Sequence, residues 1–179
     1  MNHSSLIILG GFAGAGKTAI SKRISACNNL PRISTDELND ALRETFALDF
    51  KTASPHAHDL AWFLVKKHLE NGVTVILDTN TCNERTWSNV DALRQAMPEI
   101  KIVPIILECS LETHRQRIEH RGETNKEHLN LGGEVFEDVL FKYEFLKNLK
   151  RSDLVRINAD GAFETVYKAV EKLILDVYI

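Results

Sequence analysis

The stretch Gly11-Phe12-Ala13-Gly14-Ala15-Gly16-Lys17-Thr18 lies between a short apolar run, Leu6-Ile7-Ile8-Leu9, and a helical pattern from Lys17 to about Cys27. It satisfies G-x-x-x-x-G-K-[ST] in the strand–loop–helix setting that this pattern requires. Glycines let such a loop turn tightly with several N–H groups aimed inward at phosphate oxygens, and the helix N-terminus adds positive potential. Gly11, Ala13, Gly14, Ala15 and Gly16 would form the cradle, Lys17 would reach the β- and γ-phosphates, and the Thr18 hydroxyl would ligate Mg²⁺. A glycine-rich turn beside an unrelated lysine is the bland alternative, and the flanking strand and helix tell against it. Nucleoside triphosphate binding is the strongest inference from the chain.

Outward from this loop, short β-like runs alternate with longer helical patterns. Pro31-Arg32-Ile33-Ser34 reads as a weak second strand, and Ser34 with Glu37 has capping-box spacing, opening a helix through about Phe46. Ser54-Pro55 reads as an N-cap with proline at the first helical position. The helix it opens carries Leu60, Ala61, Leu64, Val65 and Leu69 on one face and closes at Asn71-Gly72. Val73–Leu77 is the clearest strand, ending at Asp78, and a helix over about Asn83 to Ala96 follows. Ile102–Leu107 is a further buried strand, whose Pro104 implies an edge position or a bulge. Ser110 is placed to cap a basic helix to about Arg121, and Gly122 to Gly133 reads as a mobile polar loop. A helix from Glu134 to about Lys150, a strand at Leu154–Ile157 and a closing helix to about Val177, capped by Asp160, complete the pattern. Continuously apolar strands separated by helices imply a parallel sheet covered on both faces, a doubly wound α/β layer.

The 179 residues, 44% hydrophobic and 26% charged, suit one domain over residues 1–179 and exclude a disordered or fibrous chain. No apolar run approaches the roughly 20 residues of a spanning helix, so no membrane partner is expected. Cys27, Cys82 and Cys109 show neither a disulfide nor a metal-ligand pattern, and the N-terminus has no signal-peptide features, so a cytoplasmic protein is expected. The net charge of −3 disfavours an extended polyanion track. As an average over acidic helices and a basic one, it leaves room for a short nucleic acid in a cleft.

Asp36 follows the second strand at the start of a helix. Capping would explain an acid there, but Ser34 already supplies the cap. The position lies outside the carboxyl end of a strand near the phosphate loop, where open α/β sheets bind ligands. A carboxylate there can take the proton of an attacking hydroxyl, making Asp36 the candidate general base. Asp78, in Leu77-Asp78-Thr79-Asn80, has two readings besides turn chemistry: orienting the water shell of Mg²⁺, or contacting the acceptor. Arg115, Arg117 and Arg121 could pair with Glu112, Glu119 and Glu123 on a solvated face. Alternatively Arg121 first, and Arg117 second, would stabilise the charge of phosphoryl transfer from a lid at about 117–133.

Taken in order, these features resemble the P-loop kinases related to nucleoside monophosphate kinases. Asp78-Thr79-Asn80-Thr81-Cys82-Asn83-Glu84-Arg85 is similar to the Asp-Thr-Asn…Glu-Arg stretch of polynucleotide 5′-hydroxyl kinase domains. Arg117-Ile118-Glu119-His120-Arg121-Gly122 is similar to their lid. The resemblance implies a sheet of five parallel strands, ATP and Mg²⁺ held by Lys17 and Thr18, and Asp36 as base. It implies Arg121 on the transferring phosphoryl group with Arg117 beside the nucleotide, and Asp78, Asn80 and Arg85 on the acceptor side. Adenine would stack near the lid, beside Asn158-Ala159-Asp160-Gly161. Polynucleotide kinases grip the acceptor's phosphate with an arginine three residues after the base; here that position is Asn39, and the nearest arginine is Arg43. Similar architecture serves gluconate-, shikimate- and antibiotic-type small-molecule kinases and toxins that phosphorylate sugar nucleotides, so family position alone does not choose among them. The expectation is an ATP-dependent kinase acting on a hydroxyl of a small-molecule or nucleotide-like acceptor. The alternatives are a polynucleotide 5′-hydroxyl kinase and a nucleotide-binding switch or ATPase module without kinase activity.

Overall fold

The first apolar run becomes the centre of the sheet. In the computed structural model, β1 (Ser5–Gly10) is buried over all six residues and pairs in parallel with β3 (Val75–Asp78) and β4 (Lys101–Glu108). β2 (Arg32–Ser34) adds to β3, and β5 (Val155–Asn158) adds to β4, giving the all-parallel order β2-β3-β1-β4-β5. The structure describes residues 4–11, 14–124 and 135–178, and their side chains except at 118, 119, 121–124, 135–139, 177 and 178.

Leu6 to Leu9, Val75 to Leu77 and Ile105 to Leu107 are fully buried. An alternating pattern is missing because helices cover both faces, and each such side chain contributes on the order of 2 kcal/mol by leaving water. The helices are α1 (Lys17–Asn28), α2 (Thr35–Phe46), α3 (Phe50–Glu70), α4 (Glu84–Ala96), α5 (Leu111–Thr124), α6 (Val135–Asn148) and α7 (Phe163–Tyr178). After β1 the chain builds β2 and β3 on one side, then β4 and β5 on the other. The strand order therefore reverses beside β1, and a ligand crevice opens at its carboxyl end.

Several local expectations hold in atomic detail. Ser34 Oγ accepts from the Glu37 N–H at 3.4 Å and Ser110 Oγ accepts from the Thr113 N–H at 3.1 Å; Asn83, read as the first residue of its helix, is instead the cap of α4, its Oδ1 accepting from the Thr86 N–H at 2.9 Å. α3 departs from expectation. It begins at Phe50, with Asp49 accepting from the Thr52 N–H at 2.9 Å, so Ser54-Pro55 lies inside the helix. Pro55 forfeits one bond, to the carbonyl four residues back, on an exposed part of the second turn, and Asp49 supplies the cap. The buried stripe is accordingly Ala53, Ala57, Ala61, Val65 and Leu69, with Leu60 and Leu64 half-buried at its margin.

Pro104 lies in an interior strand, not an edge strand, but β5 first pairs opposite Ile105. On that side Pro104 stands where no ladder bond is required. Asp160 does not cap the closing helix: its carboxylate accepts from the Ser110 N–H at 2.7 Å, while α7 begins at Phe163. α5 continues through Thr124, so Gly122 to Thr124 are helical, and residues 125–133 of the expected loop lie outside the described residues. Among the described residues no helix is long and apolar enough to cross a membrane. Cys27, Cys82 and Cys109 are free thiols.

Candidate active site

The phosphate loop leaves β1 under tight steric control. Gly11 has φ 128°, and a Cβ there would lie 2.4 Å from the Leu107 carbonyl oxygen, so no side chain fits. Its N–H donates to Thr81 Oγ1 at 2.9 Å, which anchors the loop to the turn after β3. At the other end Gly16, with φ 91°, is the N-cap of α1 and offers no side-chain acceptor; no acid stands in the first turn. The first N–H groups of α1 and its positive dipole end therefore have no acceptor or counter-charge from a capping side chain. Lys17 and Thr18 open the helix in half-buried positions, and Gly14 and Ala15 are buried beside them. This donor set fits a chain of phosphates, with the Thr18 hydroxyl available to a divalent cation. Ala13 lies outside the described residues.

Asp36 occupies the second position of α2. Among the described residues nothing hydrogen-bonds or ion-pairs with its carboxylate. The side chain opens to solvent, yet it is set deeply enough among protein atoms that desolvation raises its pKa above the usual aspartate range. Lys17 is the largest opposing influence; Asp78 and Asp40 add to the rise, and Arg32 counters it. An acid of raised affinity for protons thus lies within electrostatic reach of the phosphate-loop lysine.

Asp78 ends β3 and is 3% exposed. Its Oδ2 accepts from Ser21 Oγ at 2.8 Å and from Arg32 Nη2 at 2.9 Å. Arg32 carries no recognisable motif in the sequence, yet its side chain is only 8% exposed, and its guanidinium also donates to Ser21 Oγ and to Glu37 Oε2, each at 2.8 Å. Charge-assisted bonds of this kind are roughly twice as strong as neutral ones, and breaking one side of a buried pair costs about 3–5 kcal/mol.

On the other side of the phosphate loop, Arg117 reaches from α5 to two carbonyls. Nη1 donates to Gly14 O at 3.2 Å and Nη2 donates to Ala159 O at 2.8 Å. It ties the phosphate loop to the turn after β5 and borders a cavity of about 410 Å³, also lined by Gly16, His120, Gly161 and Phe163. Gly161, which the resemblance sets beside the nucleotide, lines this cavity. His120 lies within the lid-like stretch but was not singled out there, and Phe163 had no motif to mark it, although its place at the start of the closing helix just after Gly161 was a usable hint. Arg121 follows one turn after Arg117 on α5, and its side chain lies outside the described residues.

The remaining acceptor-side candidates are engaged within the protein. Asn80 Oδ1 accepts from the Cys82 N–H at 2.8 Å, an Asx turn. Arg43 pairs with Asp40 at 3.4 Å, and Arg85 pairs with Asp59 of α3. Asn39 is buried on the inner side of α2, 4% exposed, not displayed as a phosphate grip would be.

A family profile, AAA_33, described as an AAA domain, matches residues 6–146. No curated protein matches the sequence. Solved structures share the fold at low identity. One, from Chloroflexus aurantiacus, superposes with a TM-score of 0.76 at 15% identity, covering 99% of each chain. A gluconokinase from Sinorhizobium meliloti gives 0.62 at 15% identity, over 99% of this chain and 95% of its own. A shikimate kinase from Aquifex aeolicus gives 0.59 at 17% identity, over 96% of each chain.

Proposed function

The chain belongs to the AAA_33 family of AAA domains, and from that premise we propose that it is an ATP- and Mg²⁺-dependent kinase acting on a hydroxyl of a small-molecule or nucleotide-like acceptor. One observation carries this reading: the open N-terminus of α1, beginning at Lys17, shares its crevice with Asp36, a carboxylate with no hydrogen-bond or ion-pair partner among the described residues. A nucleotide cradle alone would serve binding; a cradle beside an unpaired base serves transfer. That gluconokinase and shikimate kinase share the fold supports the same class.

In this reading ATP with Mg²⁺ supplies the transferable phosphoryl group and much of the charge neutralisation. Gly11, Gly14, Ala15 and Gly16 hold the phosphates, with Ala13 as a further cradle residue, Lys17 binds the outer phosphate oxygens and Thr18 holds the cation. Asp36 orients the acceptor hydroxyl and takes its proton. Arg117 keeps the loop and the β5–α7 turn in register around the cavity bordered by Gly161. Arg121, one turn further along α5, is assigned to the charge that develops on transfer, and Asp78, Asn80, Arg43 and Arg85 to the acceptor side. The three free thiols fit a reducing, cytoplasmic setting.

A long polynucleotide is the less favoured acceptor. Between residues 32 and 59 three basic residues (Arg32, Arg43, Lys51) face six acidic ones (Asp36, Glu37, Asp40, Glu44, Asp49, Asp59). Arg32, Arg43 and Arg85 are each committed to a carboxylate of the protein. The test is transfer of label from γ-labelled ATP across a panel of sugars, amino sugars, nucleosides and 5′-hydroxyl oligonucleotides. Labelling of a small acceptor is expected. Labelling of oligonucleotides alone, with steep salt dependence, would establish the polynucleotide alternative. Hydrolysis with no labelled acceptor would favour an ATPase module.

A further inference from the structure

We propose that Arg32 is a positioning residue of this site: a buried guanidinium that ties Asp78 to α1 and α2, answers its charge, and so leaves proton acceptance to Asp36. The consequence for turnover rests on the kinase reading above; the electrostatic arrangement does not.

The geometry is specific. Arg32 opens the edge strand β2, where a charged side chain would ordinarily point to water. Instead it turns inward and uses all three nitrogens on three different elements: Nε on Ser21 of α1, Nη1 on Glu37 of α2 and Nη2 on Asp78 of β3. The Ser21 hydroxyl, which accepts from Nε, donates in turn to Asp78 Oδ2. Ser21 lies one turn beyond Lys17, and Glu37 is the neighbour of Asp36. A single planar fork therefore fixes the helix that carries the cradle, the helix that carries the base, and the second acid between them. Both bonds to Asp78 fall on Oδ2, which sets the rotation of its carboxylate. A lysine has the charge but not the fork.

The charged groups facing Asp36 are Lys17 from α1, Asp78 from β3, Asp40 from α2 and Arg32 from β2; Glu37 and Lys22 close the outer side of the arginine network. Two carboxylates in one crevice hinder each other's ionisation unless a cation stands against one of them. Arg32 is that cation for Asp78, while Lys17 is required at the phosphates. Removing Arg32 both withdraws a charge that favours ionised Asp36 and leaves Asp78 unanswered, so the proton that one acid then retains belongs to the coupled pair.

The experiment is a carbon-detected NMR titration of aspartate carboxyls in the whole protein, without nucleotide, with Asp36→Asn and Asp78→Asn supplying the assignments. In Arg32→Gln the higher of the two cleft titrations is expected to move up by about one pH unit. In the double variant Arg32→Gln/Asp78→Asn, which removes both charges, Asp36 is expected to return close to its wild-type titration. A folded Arg32→Gln protein whose two carboxyls titrate as in the wild type would overturn the proposal. Where Arg32→Gln does not fold, Arg32→Lys decides. It is expected to lower kcat for transfer about tenfold or more, the scale of a lost positioning contact, with ATP affinity unchanged. Wild-type behaviour of Arg32→Lys in both titration and turnover would equally sink the idea. Absence of transfer to every acceptor would refute the kinase reading and leave the titration result standing on its own.

Discussion

Two helix starts lie side by side at the carboxyl edge of the sheet, and they are built in opposite ways. α1 follows β1 with a glycine cap, no side-chain acceptor and no acid in its first turn. α2 follows β2 with Ser34 as cap and both Asp36 and Glu37 in its first turn. Each helix end presents the same positive potential and the same unsatisfied N–H groups. The first turn of α2 carries its own anions; the first turn of α1 carries none. Under the proposed function the α1 end receives the phosphates and the α2 end contributes the base. Within the first turn of α2 Glu37 is engaged by Arg32 and Lys22, whereas the carboxylate of Asp36 has no hydrogen-bond or ion-pair partner among the described residues.

The comparison can be broken most strongly by making α1 resemble α2. Gly16→Asp puts an acid on the open helix end and a side chain at φ 91°, a backbone conformation that costs about 1–3 kcal/mol for most residues. ATP affinity measured by calorimetry is expected to fall by about 100-fold or more, roughly 2.7 kcal/mol. Retained affinity would mean that phosphates bind elsewhere. A smaller effect comes from weakening α2: Ser34→Ala removes the bond to the Glu37 N–H and should cost about 1 kcal/mol in denaturant unfolding, with ATP affinity unchanged. Loss of ATP binding in that variant would show that the two helix ends are not separable.

The smallest expected effect is on stability and pH. The raised pKa of Asp36 means the folded state holds its proton more tightly than the unfolded chain. The penalty is therefore present in full above the folded pKa and disappears as pH falls below the unfolded value, near 3.9. Asp36→Asn should accordingly be slightly more stable than the wild type at neutral pH, with the difference vanishing in acid. A variant less stable at neutral pH would assign Asp36 to helix stabilisation instead.

What could be read from the sequence follows the range of the physics involved. The cradle is contiguous, with its glycines and Lys17 within eight residues, and β1, β3 and β4 announce themselves through apolar runs, whereas β2 and β5, each carrying an arginine, leave a weaker trace. Ser34, Asn83 and Ser110 cap helices through contacts three residues away. Asp49 and Ser54 compete within five residues, and local rules favour Ser54-Pro55 because they do not weigh how little one lost bond costs on an exposed turn. Asp160 looks like a cap for the helix that follows it, but its partner, the Ser110 N–H, lies 50 residues earlier. Arg32 is the clearest case: a charge at the start of a short strand reads as solvated, and its partners lie 11 and 46 residues away as well as five. Side chains whose role is set by tertiary partners leave no periodic trace.

The most direct measurement compares wild type and Asp36→Asn for two quantities together, ATP affinity and transfer of the γ-phosphoryl group to the best acceptor of the panel. Nearly unchanged affinity is expected, with a fall in transfer of about 10²–10⁴-fold and a wild-type acid limb lying above the ordinary aspartate range. Transfer that survives the substitution unchanged would contradict that expectation, and would make Asp36 a helix-terminal carboxylate without a part in the chemistry.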